Sequence, residues 1–285
     1  MPLRRRAGLA LVAAAIVASA AMVAVGLQSA VATPIERQTS IRLPVQALRD
    51  HPMRIALVSD IHVGNRAMTV ERLDRIIDRI NAARPDMIVI PGDFVNGDSP
   101  DSPDFHPDLL TAPLARLRAP LGVYATLGNH DHWTDATRTM AALRRAGVIV
   151  LTNEARRTGA VTLVGIDDSF SKHAVIARTM AAAKALGGVP VVFTHSPDIA
   201  PQLPPDAPLL LAGHTHCGQI VLPLIGPPVT RSPRSGEPIY NSRYRCGIVR
   251  DPARTVIVTG GVGSGTIPIR IGAPPDWWLV TLTGP

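Results

Sequence analysis

Short apolar runs that end in polar residues alternate with helical periods along most of this chain. "MRIALVSD" (53–60) and "PDMIVIPGD" (85–93) end in carboxylates, and "LGVYATLGNHD" (121–131) ends in an amide, an imidazole and an acid. "VPVVFTHS" (189–196) and "APLLLAGHTH" (207–216) run into histidines. Unbroken runs of this kind read as strands covered on both faces. "VIVL" (148–151) and "VTLVGIDD" (161–168) add two more strands. Between them, "TVERLDRIIDRINAAR" (69–84) puts Val70, Leu73, Ile76, Ile77 and Ile80 on one helical face, with Thr69 as the cap. "TDATRTMAALRRAG" (134–147) and "HAVIARTMAAAKALG" (173–187) are the other predicted helices.

Strands alternating with helices predict an α/β fold around a largely parallel sheet. The last third is rich in Pro, Gly and Arg, with "RTVIVTGG" (254–261) and "WWLVTL" (277–282) as strands and little helix. It is expected to form a second sheet closing the same domain. Ligands of open α/β folds bind at the carboxyl ends of strands, where the polar residues above would fall.

The amino terminus has another pattern. Arg4, Arg5 and Arg6 precede an uncharged stretch from Ala7 to Ala32. At about 1.5 Å per residue, Ala7 to Leu27 covers a bilayer core of roughly 30 Å. Basic residues ahead of the span favour export of the rest of the chain. "AVA" at 30–32 also fits a cleavage site, so anchor and cleaved signal both stand open. The expected organisation is an anchor or signal over 1–32, a tether and lead-in strand over 33–53, and one domain over 54–285. The domain is expected on the outer side of an inner membrane, or secreted, and monomeric.

Charge excludes one class of partner. The formal net charge is +7, of which the three leading arginines supply three, and no block of like charges or interleaved aromatics occurs beyond them. Nucleic acid is therefore not an expected partner. Two cysteines, Cys217 and Cys246, are too few for a thiolate zinc site; they are either reduced core thiols or a single bridge in an oxidising compartment.

The strand ends carry Asp60 and His62, Asp93, Asn129 and His130, His195, and His214 and His216. In an extended segment, residues two apart point the same way, so "DIH" and "HTH" each aim two ligands at one spot or at two neighbouring ones. Imidazole with carboxylate and no thiolate suits manganese, iron, cobalt or zinc rather than calcium. Seven candidate ligands exceed the need of one tetrahedral ion and point to two cations, the usual clamp for phosphate-ester hydrolysis.

The ordered set "DIH … GD … GNHD … H … GHTH" resembles the calcineurin-like metallophosphoesterases from about Ile55 to the carboxyl terminus. "GHTHCGQI" with "VIVTGGVGSGTIPIR" is similar to the membrane-associated bacterial branch, which includes exported phosphodiesterases and UDP-2,3-diacylglucosamine pyrophosphatases. The resemblance implies a two-sheet αββα sandwich of mixed, largely parallel strands. It also implies that Asp60, His62 and His216 hold one divalent cation (Mn, Fe, Zn or Co), that Asn129, His195 and His214 hold a second, and that Asp93 joins them. A hydroxide between the ions then attacks phosphorus, while His130 assists the leaving oxygen. In some branches an aspartate three residues past the shared one supports that histidine; here the position is Asn96, and Asp131 either takes over that support or braces the loop.

The expected activity is hydrolysis of a phosphodiester or pyrophosphate in a lipid-linked or nucleotide-sugar substrate. A lipid A pyrophosphatase and a non-catalytic metal-binding scaffold are the alternatives. His51, His106, His132 and His173 read as surface or packing residues, and Asp167 and Asp168 as a turn near the site. Residues 96–108 read as a solvated acidic loop that would cap the cleft only as the lesser expectation. Arg231, Arg234, Arg243, Arg245 and Arg250 are exposed arginines of which one is a candidate phosphate fork, and Trp277 and Trp278 pack a terminal strand in preference to facing a membrane.

Overall fold

The structure, a computed structural model, describes residues 2–232 and 235–285. Arg234 of the arginine group above lies outside the described residues. Twelve strands and seven α-helices are found among the described residues. The strands are β1 (Ile35–Arg42), β2 (Met53–Leu57), β3 (Met87–Pro91), β4 (Val123–Thr126), β5 (Ile149–Val150), β6 (Glu154–Thr158), β7 (Val161–Gly165), β8 (Val189–Thr194), β9 (Leu209–Ala212), β10 (Gly247–Asp251), β11 (Arg254–Val258) and β12 (Asp276–Thr283). The helices are α1 (Pro2–Val31), α2 (Ala47–Asp50), α3 (Val70–Ala82), α4 (Thr111–Leu114), α5 (Asn129–Trp133), α6 (Ala136–Arg145) and α7 (Ile176–Leu186).

Two six-stranded sheets stack, in the orders β1-β12-β2-β3-β4-β5 and β10-β11-β9-β8-β7-β6. The β2–β5 and β7–β9 neighbours are parallel, whereas β12/β2, β6/β7 and β10/β11 are antiparallel. Alternation along each strand explains the layers. In β3, Met87 and Val89 face the space between the sheets, while Ile88 and Ile90 face α3, α4 and α6. In β9, Leu209 and Leu211 face inward and Leu210 packs on the α7 side. Both faces of each central strand are thus buried, which is why its sequence is an unbroken apolar run.

The second sheet starts earlier than the sequence suggests. It opens at β6, and of the carboxyl-terminal strands only β10 and β11 join it. The "WWLVTL" segment returns to the first sheet as β12, between β1 and β2. Trp277 and Trp278 are buried there in two different core layers, as the packing reading expects.

Helix α1 stands away from the sandwich, with side chains exposed from Gly8 to Val25. Its stretch Gly8–Val31 (24 residues) is long and apolar enough to cross a membrane. Its last turns dock: Gly26 and Ala30 are buried, the Gly26 carbonyl accepts from the Arg270 amide (3.0 Å), and Arg72 donates to the carbonyls of Val31 and Ala32 (3.2 and 2.9 Å).

Candidate metal centre

Every sequence-predicted ligand lies just past a strand end, and the loops bring them together. Asp60 and His62 follow β2, Asp93 follows β3, Asn129 and His130 open α5 after β4, His195 follows β8, and His214 and His216 follow β9. The local geometry differs from the extended i, i+2 expectation. Asp60, His62, Asp93, His214 and His216 all take positive φ, between 48° and 69°. Left-handed backbone costs non-glycine residues on the order of 1 kcal/mol each, so the surrounding loops hold these turns in place. Gly128 shows how tight that packing is: a Cβ there would run into the Asp93 carboxylate and stand 2.4 Å or so from its amide, a clash no side chain survives.

The side chains form two neighbouring groups. In the first, His62 Nε2 faces His216 Nε2 at 3.2 Å, and His216 Nε2 lies 3.4 Å from Asp60 Oδ1. In the second, His195 Nε2 lies 3.1 Å from Asn129 Oδ1 and 3.2 Å from His214 Nδ1. Asp93 Oδ2 reaches both, at 3.6 Å from His62 Nε2 and 3.1 Å from His195 Nε2.

The donor set fits divalent cations. Imidazole nitrogens face one another and carboxylate oxygens across a buried space, and Asp60 Oδ1 has no hydrogen-bond partner although it is shut away from solvent. Burial raises Asp60 to about 6, with Asp93 adding to the rise against His195. Burial lowers His62 to about 3 and His214 to about 4, and holds His216 well below the ordinary imidazole value, helped there by Arg270. Neutral imidazoles are the form that ligates metal. For Asp93, burial works upward but the charges of His195, His130 and His62 outweigh it, holding the carboxyl well below its usual range. His195 is raised well above its usual range: burial opposes, and Asp93 prevails. Among the described residues, three sets of His, Asp, Glu or Cys side chains could hold a metal ion: Asp60, His62, His216; His62, Asp93, His130; and Asp60, Asp93, His195.

The groups behind the ligands are equally defined. His195 Nδ1 donates to the Pro91 carbonyl (2.8 Å) and His214 Nε2 to the Ile239 carbonyl (2.9 Å), so that each ring, in its neutral form, turns a lone pair toward the centre. His216 Nδ1 instead receives from Arg270, whose fully buried guanidinium also donates to the carbonyls of Gly260, Gly263 and Ala273. Burial brings that guanidinium down to about 10, which still leaves it charged. Sequence reasoning passed over Arg270 for the loop arginines; its signal was a single arginine inside the apolar run "TIPIRIG".

The support of His130 also departs from expectation. His130 Nδ1 donates to the Gly97 carbonyl at 2.5 Å. Asn96 turns away and donates to Asp104 (3.0 Å). Asp131 accepts from the amides of Asp93, Phe94, Val95 and Gly128, which braces two ligand loops and leaves the His130 ring alone. Burial and the nearby Asp93 charge raise Asp131 to about 7.

Other predicted residues fall outside the two groups. Asp167 pairs with His132 (2.9 Å), and Asp168 accepts from the Ser171 amide (2.6 Å) in a turn that carries Phe170 to the site. His132 stacks on His173 at 3.7 Å. From the acidic loop, Asp98 lines the cavity. Arg243 pairs with Asp251. Cys217 and Cys246 form a disulfide.

A cavity of about 480 Å³ opens over this floor, which Asp93, Asn129, His130, His214 and His216 help to form. Its walls include Trp133, Phe170, Ile220, Val229, Tyr240 and Ile267. Two facing sheets with clustered acids and imidazoles at their strand ends define a metal-dependent hydrolase of the α/β-sandwich class. The chain belongs to the calcineurin-like phosphoesterases, whose family model matches residues 53–218, and it is a metal-dependent phosphoester hydrolase.

Among relatives, an uncharacterized metallophosphoesterase of Aquifex aeolicus (strain VF5) is 32% identical over 81% of this chain and 85% of its own length. The uncharacterized metallophosphoesterase YkuE of Bacillus subtilis (strain 168) is 32% identical over 80% of this chain and 78% of its own length. A transmembrane protein with metallophosphoesterase domain from Danio rerio is 30% identical over 91% of this chain, which spans 60% of that protein. Of solved structures, a 5'-nucleotidase precursor from Thermus thermophilus aligns with 74% of this chain and 49% of its own, at 15% identity and a TM-score of 0.42.

Proposed function

We propose that the chain hydrolyses phosphodiester or pyrophosphate bonds with two divalent cations, from a domain over 54–285 held at a membrane outside the cytoplasm. The observation that carries this reading is Asp93, whose one carboxylate oxygen stands within 3.6 Å of both His62 and His195. Asp60, His62 and His216 would hold one cation and Asn129, His195 and His214 the other, with Asp93 shared. Bound cations supply Lewis acidity toward phosphoryl oxygen and make a water molecule acidic enough to attack at neutral pH.

The chain's own residues do the rest. Asp93 and Asp60 bring negative charge that offsets the cations. Pro91, Ile239 and Arg270 fix the ligand rings. His130, with Nδ1 on the Gly97 carbonyl, presents Nε2 as the atom that delivers a proton to the leaving oxygen. Asp131 is a brace rather than a catalytic group. The walls of the cavity exclude water from one side and favour a substrate with an apolar portion next to its phosphate.

Retention of α1 as an anchor is supported by the burial of Gly26 and Ala30 and by the Arg72 and Arg270 bonds to its end. The Cys217–Cys246 disulfide supports an oxidising compartment. A reporter fused after Pro285 tests the topology, and activity of the reporter in the cytoplasm refutes export.

The activity is tested by screening the purified full chain against phosphomonoesters, phosphodiesters, nucleotide sugars, a UDP-linked diacylated sugar and phospholipids, with metal content measured on the same sample. Turnover of diesters or pyrophosphates at two cations per chain is expected. Full occupancy without turnover of any of them leaves a metal-binding scaffold.

A further inference from the structure

The cavity wall, and the hairpin that follows its residue Ile220, carry exposed apolar side chains that the floor chemistry does not need. Leu222 to Gly226 closes a tight hairpin, with reciprocal backbone bonds between Leu222 and Gly226 (3.0 and 2.9 Å). At its tip Leu224 is fully exposed in left-handed backbone (φ 64°) and Ile225 is 75% exposed. Val229 and Ile267, which line the cavity, are 60% and 47% exposed. A leucine held open to water at a strained φ spends conformational energy without burying anything in the chain itself. Exposed aliphatics on and close in sequence to a site wall mark a docking surface.

The position of α1 says what docks. The strand segment behind the hairpin pairs with residues 269–271: Val221 donates to Ile271 and Ile271 to Gln219 (2.7 and 2.9 Å). On the other side of that segment sits α1, with Gly26 against Ile269 and Ile271 and the Gly26 carbonyl on the Arg270 amide. The exposed part of α1, Gly8 to Val25, is about 27 Å long at 1.5 Å per residue, close to the bilayer core thickness. The helix therefore meets the domain where it would leave the hydrocarbon, one paired segment away from the hairpin. Exposed Arg231, two residues beyond Val229, suits anionic headgroups at that depth.

We propose that Leu224, Ile225, Val229 and Ile267 sit in the interface of the bilayer that α1 spans, so that the cleft opens onto lipid. This rests on the anchor reading above, and it narrows the substrate class to phosphodiesters or pyrophosphates carried on a membrane-embedded lipid. Short aliphatic insertions of this kind reach the headgroup–acyl boundary, where phosphate groups lie.

The test uses full-length protein in vesicles of phosphatidylcholine and phosphatidylglycerol, some with chains brominated near the headgroup. Tryptophan emission is measured for Ile225→Trp and, as a control, Leu186→Trp, after subtraction of the parent chain. Leu186 is 48% exposed at the end of α7, just before β8 begins and thus at the end of the sandwich opposite the site. Quenching at least about twofold stronger for Ile225→Trp than for Leu186→Trp is expected. Equal quenching in vesicle-bound protein overturns the proposal and leaves the anchor standing. Failure of the parent chain to float with vesicles overturns both. A blue-shifted but unquenched Ile225→Trp signal that is lost on dilution makes the rim a contact between two copies and overturns the proposal as well.

Discussion

Behind His195 and His214 stand backbone carbonyls, whereas behind His216 stands the guanidinium of Arg270. His62, the other imidazole of that first group, makes no well-formed hydrogen bond through Nδ1, although the Val95 backbone lies close enough to favour its charged form. The two halves of the proposed centre share Asp93 and differ in what surrounds their rings. A carbonyl that accepts the outer N–H makes an imidazole a better donor toward the metal. A guanidinium donating to the outer nitrogen does the opposite: it favours the tautomer with its proton on His216 Nε2, which must leave before that atom can ligate, and its charge repels a cation a few ångströms further on. On the proposed two-cation reading, the second group is expected to bind its ion more tightly than the first.

The strongest way to break this comparison is to remove what the halves have in common. Asp93→Asn is expected to lower turnover of a chromogenic phosphodiester by about 100-fold or more, since loss of outer partners alone costs 10–100-fold. Metal analysis should show both cations depleted; loss of one only would mean that Asp93 belongs to a single site. His130→Gln should keep both cations while slowing turnover about 100-fold for poor leaving groups and much less for good ones, as loss of an acid requires. Equal slowing would move His130 from proton delivery to binding.

Arg270→Gln sharpens the contrast itself. In calorimetric titration with Mn²⁺, the weaker of two affinities is expected to tighten about tenfold while the stronger stays put. Arg270→Lys keeps the charge and should keep the gap. A change in both affinities would show the arginine acting through the fold, where its bonds to Gly260, Gly263 and Ala273 are also lost.

The smallest effect belongs to His132, an imidazole outside both halves. Burial opposes its charge, but the hydrogen bond and charge of Asp167 raise its pKa above the usual value. Its stabilising contribution is therefore fully present below about pH 6.5 and is lost as pH rises through the raised folded value. His132→Gln should lower the melting temperature by about 2 °C at pH 6, with the difference closing toward pH 9. A gap that widens with pH would contradict the assigned pairing.

How much the sequence made legible depends on which interactions are local. Strands β2, β3, β8 and β9 are buried on both faces, so each announces itself as an apolar run and its first polar residue marks the site. Edge strand β6, "EARRT", has only one buried residue, Thr158, and carries no such run. The insertion of β12 between β1 and β2 is a pairing between segments more than 200 residues apart, which no local pattern encodes. Convergence of Asp60 with His62 was readable but its cause was not: left-handed turns, not strand pleating, aim them. The role of Arg270 depends on its contact with His216, 54 residues away, which its place in the apolar run "TIPIRIG" flags as unusual but does not reveal. The disulfide, by contrast, was within reach because only two cysteines exist to pair.

Gly26 has a mechanical consequence. A Cβ at that position would stand 2.5 Å from Ile269 Cγ2 and 3.2 Å from Ile271 Cγ1, so stem and body touch without a side chain between them. The catalytic body is bolted to its stem rather than swinging on a leash. With α1 kept in a membrane as proposed, its encounters with a co-resident molecule become a two-dimensional search at fixed height and heading, and cargo dissolved far from that plane is out of reach.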